Sequence, residues 1–201
     1  MLLRNYDNLC AYLQMPLKPG EKFSTTGFGD GSLCMKTTDG VVGLPTRQSS
    51  SENITTPFLK FGISSKDFDA FYDVFSACIV AGSDNTQVNY DDYKLGNIFS
   101  DSQVAKIDGS EIYSEAVLEN GVWTKTYSVS VLAKEAITVS EIGVLGYCKI
   151  PSSDCKLLLY REVLKTPIEV HANSNFVLSF TVKVPENPNK PANYSASATT
   201  E

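Results

Sequence analysis

The densest group of side chains that could do chemistry is a short acidic segment. Its carboxylates are Asp84, Asp91 and Asp92. Oxygen ligands of this kind can hold Ca²⁺, but their spacing does not match the loop of an EF-hand. A solvated loop is therefore the favoured interpretation, and a calcium site is the weaker one. Paired carboxylates also serve glycoside hydrolysis, but a glycan cleft usually shows several exposed aromatic side chains as well. The single tryptophan, Trp123, lies on the apolar face of a predicted strand, where core packing is its expected role.

Other candidates for catalysis are isolated in the sequence. The single histidine, His171, precedes a predicted strand and is interpreted as a surface residue. No serine lies in a Gly-x-Ser-x-Gly turn, and no cysteine has an evident histidine partner. Gly27, Gly29 and Gly31 lack the strand, helix and Lys-Ser/Thr pair of a phosphate-binding loop. The sequence predicts a protein that is not an enzyme, with no catalytic residue, no cofactor and no metal.

The cysteines are odd in number and have no metal-like spacing, which favours free thiols in a reducing cytoplasm. Cys148 and Cys155 flank a short predicted loop, so a disulfide between these two is the less favoured alternative. The five are Cys10, Cys34, Cys78, Cys148 and Cys155.

Composition limits the possible partners. The 201 residues are 42% hydrophobic and 20% charged, as in a globular protein that can bury a core. The net charge of -6 comes without a basic run, which disfavours nucleic acid and anionic membranes. No apolar run approaches the roughly 18 residues of a spanning helix. The first residues lack the pattern of a signal peptide. A soluble protein is expected.

The clearest structural element is a hairpin. Two runs, Glu111 to Glu119 and Val122 to Leu132, flank Asn120-Gly121. Both central residues of a type I′ turn need positive φ, which Asn and Gly tolerate best. The second run alternates, with Trp123, Tyr127, Val129 and Val131 on one face.

Further runs complete an all-β pattern. An apolar strand covers residues 77–81, and two runs at 142–147 and 157–164 are separated by a Pro- and Ser-rich loop at 149–154. A last strand alternates strictly from Asn175 to Val184. Several strands at this spacing predict an antiparallel β-sandwich or jelly roll.

The domain boundaries follow from this pattern. The sandwich is expected over residues 61–184, with its core at 78–184. Residues 1–60 are expected to be an extended arm or irregular region, and residues 185–201 a tail that is disordered when alone. Aromatic residues within 66–75 have helical spacing, but a strand is the competing interpretation.

Two stretches, residues 79–95 and a second one within residues 141–170, resemble a family of small tailed-bacteriophage virion proteins of the tail, neck, head-fibre or capsid-accessory type. Residues 79–95 are similar to its segment of strand, Gly-rich turn, Thr and Asp-Tyr-x-Leu. The second stretch resembles its pattern Glu-Ile-Gly … Leu-Leu-x-Arg … Pro-Ile-x-Val. The residues of that pattern are Glu141-Ile142-Gly143, Leu158-Leu159-Tyr160-Arg161 and Pro167-Ile168-Glu169-Val170.

The matching residues have plausible roles in keeping the fold. Glu141 would start an inner strand, Gly143 would allow a bulge or a close strand approach, and Arg161 would pair with Glu141. Asn120 and Gly121 complete the predicted structural set. The resemblance thus implies structure and not catalysis.

The resemblance implies a structural component of a virion, assembled in the host bacterial cytoplasm. Its expected partners are further copies of itself and portal, tail or capsid subunits, without nucleic acid or membrane. The alternative is a β-sandwich that binds carbohydrate or a host receptor, with stacking by Tyr90, Tyr93, Tyr147 and Tyr160.

Overall fold

The chain forms an antiparallel β-sandwich of two sheets, as the alternating sequence predicts. The computed structural model describes residues 1–7, 22–23, 34–37, 40–43, 47–48, 75–150, 153–187 and 189–201. Residues 4–7 form one turn of helix. The strands are β1 (Lys22–Phe23), β2 (Cys34–Thr37), β3 (Gly40–Gly43), β4 (Arg47–Gln48), β5 (Phe75–Gly82), β6 (Val104–Lys106), β7 (Ile112–Tyr113), β8 (Val117–Glu119), β9 (Val122–Ala133), β10 (Ile137–Ile150), β11 (Ser153–Val170), β12 (Ser174–Pro185) and β13 (Asn193–Thr200).

The larger sheet has six strands and the smaller one has three. The order in the larger sheet is β13-β12-β9-β6, and β7 and β8 also pair with β9. The order in the smaller sheet is β11-β10-β5. Because β9 pairs with β12 while β10 pairs with β11, the strands from β9 to β12 form a ribbon folded across both sheets.

The core lies between the two sheets. Side chains from β9 and β12 meet side chains from β5, β10 and β11, so apolar residues alternate with polar ones along each strand. Its largest fully buried aromatic side chains are Tyr160 and Phe176. The expected inner face of the last alternating run is confirmed at Phe176, Leu178 and Phe180.

The β8–β9 turn has the expected backbone. Asn120 has a φ of 51° and Gly121 a φ of 73°, so both central residues are left-handed, as a type I′ turn requires. The strand before it differs from the prediction. Residues 111–119 form two short strands, β7 and β8, instead of one continuous run.

The predicted boundary at residue 185 was wrong for the last strand. Residues 193–200 form β13, which pairs with β12 over its whole length. Its inward positions are Tyr194, Ala196 and Ala198. Alanine between serines and threonines gives a weak hydrophobic contrast, which explains why the composition suggested a disordered tail.

The β10–β11 hairpin is longer than predicted. The two strands continue to Ile150 and from Ser153, so most of the expected loop at 149–154 is strand. The register places Cys148 opposite Cys155, and the prediction of free thiols stays a prediction. Beyond Val163, β11 carries extra residues opposite Ser140, and Pro167 lies there. A bulge tolerates proline because its missing N–H breaks no ladder bond.

Some sequence predictions lie outside the described residues. These are the ambiguous segment at 66–74, the glycine-rich turn at 25–32 and Cys10. No helix in the described part of the chain is long and apolar enough to cross a membrane.

Candidate functional site

Arg161 is the centre of the densest polar network among the described residues. It lies on β11 opposite Gly143 of β10, and only 3% of its side-chain surface is exposed. Ile142 and Val144 point into the core between the sheets, so Glu141 and Gly143 point to the opposite face of the small sheet. Residues 83–99 run across that face.

Three carboxylates surround the guanidinium. Its Nε donates to Oε2 of Glu141, Nη1 donates to Oδ2 of Asp92, and Nη2 donates to Oδ2 of Asp84, each at 2.8 Å. The pairing of Arg161 with Glu141 predicted from the sequence is therefore present. The planar guanidinium suits this role because its donors point in fixed, diverging directions.

Glu141 is fully buried, and backbone donors complete its contacts. The N–H groups of Gly96 and Asn97 donate to its two oxygens at 3.1 and 2.8 Å. Burial opposes the charge on Arg161, but hydrogen bonds to Asp92 and Glu141 outweigh it and raise the pKa of Arg161. A buried ion pair is tolerated when its remaining donors and acceptors are satisfied in this way.

The other two carboxylates, Asp84 and Asp92, also accept hydrogen bonds from residues of their own loop. Asp84 accepts hydrogen bonds from the N–H and hydroxyl of Thr86 at 3.2 and 2.8 Å. The Thr86 hydroxyl bond, aided by Arg161 and opposed by partial desolvation, lowers the pKa of Asp84. Asp92 also accepts from the N–H of Asn89 at 2.9 Å. One arginine thus fixes two ends of one loop.

The weak calcium candidates are directed at arginines. Asp84 and Asp92 bind Arg161, while Asp91 forms an exposed ion pair with Arg4. Within the described residues, no group of three His, Cys, Asp or Glu side chains could hold a metal ion.

The N-terminal residues complete the network along the edge of β11. The N–H of Leu3 donates to the carbonyl of Leu159 at 3.0 Å, and the N–H of Arg161 donates to the carbonyl of Met1 at 3.1 Å. The amide of Asn5 donates to the carbonyl of Leu158 at 3.2 Å. Residues 1–7 are therefore docked on the same chain.

A small apolar cluster lies beside the charges. It consists of Leu3, Leu95 and Leu158, each nearly or fully buried. A Cβ on Gly143 would lie 2.9 Å from side-chain carbons of both Leu95 and Leu158. Gly143 thus permits the close approach expected from the sequence.

The arrangement holds three parts of the chain together: the loop at 83–99, the N-terminal residues and β11. Among the described residues, every buried side-chain nitrogen and oxygen has a hydrogen-bond partner. The charge of Arg161 is matched by acids that also hold the backbone of 83–99. These contacts stabilise one arrangement of loop, N-terminus and strand.

The structure brings together some of the predicted residues and separates others. Glu141, Gly143 and Arg161 meet in the network, whereas Asn120 and Gly121 form the β8–β9 turn of the other sheet. Sequence reasoning missed Leu3 and Asn5. Their only signal is an apolar and polar pair near the start of the chain, too short to show a period.

The aromatic predictions have mixed outcomes. The expected core role of Trp123 was wrong, because 43% of its surface is exposed. Tyr160 is buried and donates to Glu162, so it is not exposed for stacking. His171 is exposed between β11 and β12, as interpreted from the sequence.

The fold and the site define an all-β sandwich protein with a buried network of ion pairs between one arginine and three carboxylates. No protein-family model, no curated protein and no solved structure matches the chain. The resemblance to virion proteins therefore stays a prediction.

Proposed function

We propose that this chain is a structural, non-enzymatic component of a tailed-bacteriophage virion, in the neck, the tail or as a capsid accessory. It assembles through contacts with copies of itself and with other virion subunits. Its place of assembly is the host cytoplasm. No nucleic acid or membrane is needed for this role.

One observation carries the proposal. The two stretches that resemble virion proteins are far apart in sequence but form one network in space. Asp84 and Asp92 of the first stretch bind Arg161 of the second, and Leu95 packs beside Gly143. The residues of the resembling pattern therefore contact one another and maintain the fold. This supports a structural role, since the pattern supplies fold-keeping residues and no catalytic one.

The test is the composition of purified particles. An antibody against this chain and peptide mass spectrometry should detect it in particles purified by density gradient, at a stoichiometry that washing with high salt does not reduce. Immunogold labelling then assigns it to the neck, tail or capsid surface. Particles without the protein would refute the proposal.

A second candidate function is binding of carbohydrate or a host receptor. The exposed Trp123 favours it, since it lies opposite Leu118, which is 41% exposed, in the β8–β9 register. An exposed indole can stack on a sugar ring.

A glycan array tests this candidate directly. Binding by the wild-type protein that is lost in Trp123→Ala and retained in Ile112→Ala would support it. Ile112 is a matched control because it is also exposed in the large sheet, at 67%. An array without signal for the wild-type protein would exclude the sampled glycans.

A further inference from the structure

We propose that β13 is an exchangeable strand: it leaves the edge of its own β12 and takes the same position on β12 of a second copy of this chain. This inference rests on the proposed assembly function and names its partner. It follows from how β13 is held, what complements β12, and how β13 is connected.

β13 buries few side chains of its own. Ala196 and Ala198 are buried, Tyr194 is partly buried and stacks on Phe180 with ring centroids 6.2 Å apart, and Ser195, Ser197 and Thr199 are exposed. The apolar surface that β13 itself buries is therefore two methyl groups and part of one aromatic ring. The main attachment is the backbone ladder to β12, and any correctly registered copy can reproduce that ladder.

The hydrogen-bond ladder identifies which strand can pair with the edge of β12. Residues 193–200 pair with residues 176–183 in an unbroken antiparallel register. Once β13 leaves, the edge of β12 presents unpaired backbone groups, which are a template for another strand. The strand shown to fit this edge is β13 itself. A second copy therefore restores every bond without a new interface.

A side-chain latch must also be restored. The N–H of Ala196 donates to Oε2 of Glu162 at 2.7 Å, and the hydroxyl of buried Tyr160 donates to the same carboxylate. Glu162 lies on β11, so this latch joins β13 to the small sheet as well as to the large one. Without β13 from either copy, the site is incomplete.

The connection allows β13 to reach a neighbour. In this structure the connection, residues 186–192, turns, with the N–H of Lys190 donating to the carbonyl of Asn187 at 3.0 Å, so exchange requires this turn to open. The prolines at 188 and 191 favour extended backbone in the residues before them once it is open. Seven extended residues span up to about 25 Å. That is sufficient to place β13 on an adjacent copy.

Two other sheet edges are covered in part by segments of the same chain. Residues 1–3 cover part of the β11 edge, through the Leu2–Tyr160 bridge and its flanking hydrogen bonds. Residues 97–99 cover the end of β5 through the Gly82–Ile98 bridge. The β12–β13 pairing is longer than either of these, with eight residue pairs in register.

Isotope mixing with an engineered disulfide tests the exchange. In Ser179→Cys/Ser197→Cys, the two cysteines lie opposite each other on β12 and β13. Unlabelled and ¹⁵N-labelled proteins are unfolded, mixed in equal amounts, refolded and oxidised. Mass spectrometry of the 179–197 cross-linked peptide then shows whether its halves come from one copy or two.

Exchange predicts that about half of these cross-links are of mixed isotope, as random pairing of equal populations requires. The control is Ser128→Cys/Ser179→Cys, which joins β9 to β12 and should give no mixed peptides. A second pair, Thr181→Cys/Ser195→Cys, tests β13 again if the first misfolds.

Cross-links of a single isotope in both β13 pairs, at the highest soluble concentration, would overturn the inference. That result leaves the proposed virion role intact if particles contain the protein. Mixed cross-links in a protein absent from particles would instead sustain exchange and remove the proposed function.

Discussion

Residues 1–7 and residues 193–200 both join the sandwich at the edge of a sheet, but they are held by different means. Near the N-terminus, Leu3 is fully buried and the side chain of Asn5 bonds to the backbone of β11. At the C-terminal strand, an eight-residue ladder carries most of the attachment, and the side chains that contribute are two buried alanines and the partly buried Tyr194.

This difference separates specific anchoring from transferable pairing. Burying a leucine side chain contributes about 1.5–3 kcal/mol and requires a pocket of matching shape. A backbone hydrogen bond contributes about 0.5–1.5 kcal/mol and can be reformed by any strand in register. Side-chain anchors therefore fix the N-terminal segment to its own chain, whereas β13 can serve a second copy.

The largest effect is expected at the Arg161 network. Arg161→Met leaves the buried Glu141 without its cation, which costs about 3–5 kcal/mol of unfolding free energy. Arg4→Met removes an ion pair with more than half of each side chain exposed, so its loss of unfolding free energy should be much smaller than that of Arg161→Met. Chemical denaturation of both variants measures the difference.

Arg161→Lys keeps the charge but loses the diverging donors, so an intermediate loss is expected. It also preserves the comparison if Arg161→Met does not fold. Equal midpoints for Arg4→Met and Arg161→Met would show that the network does not anchor the N-terminus and the loop.

The next effect compares the two edge segments directly. Leu3→Ala empties a site lined by Leu95 and Leu158 and should cost about 2–5 kcal/mol. Ala198→Gly in β13 should cost about 0.5–1 kcal/mol, mostly from backbone entropy. Thermal unfolding of the two variants ranks them, and a larger loss for Ala198→Gly would reverse the proposed distinction.

Sequence reasoning recovered what is encoded by strong local contrast. The Asn120-Gly121 turn and the inner face of β12 follow from residue type and period two. The pair of Glu141 and Arg161 followed from the resemblance to virion proteins, whose pattern places them on adjacent strands. The exposure of Trp123 could not follow, because alternation assigns a residue to one face of a strand and does not show whether that face is covered. β13 was missed because two of its three inward residues are alanines, which give little contrast with the serines and threonines between them.

A smaller effect is expected at the latch of β13. Glu162→Gln weakens a charge-assisted acceptor, a loss of about 1 kcal/mol, which should speed exchange of the Ala196 amide about fivefold. Hydrogen exchange measured by NMR tests this. Glu169→Gln, at an exposed position of the same strand, is the control and should leave that amide unchanged.

The smallest effect is a difference in acid sensitivity between the regions. The pKa of Asp84 lies below its ordinary value, first through the Thr86 hydroxyl and also through Arg161. A depressed folded-state pKa contributes stability that is fully present above the unfolded value of about 3.9 and is lost as pH falls through the lower folded value. Amides of residues 83–99 should therefore lose protection in that acidic range.

The hydrogen bonds that Asp84 makes with Thr86 and Arg161 do not involve β12 or β13, so Asp84→Asn should leave the protection of the β12–β13 amides unchanged. Asp84→Asn should abolish the acid-dependent loss of amide protection in residues 83–99, and Thr86→Val should reduce that loss. Hydrogen exchange followed by mass spectrometry across this range resolves both regions in one sample. If wild-type protein and Asp84→Asn lost loop protection at the same pH, titration of Asp84 would not control the Arg161 network. The difference between the N-terminal region and β13 would then rest on Arg161 and Leu3.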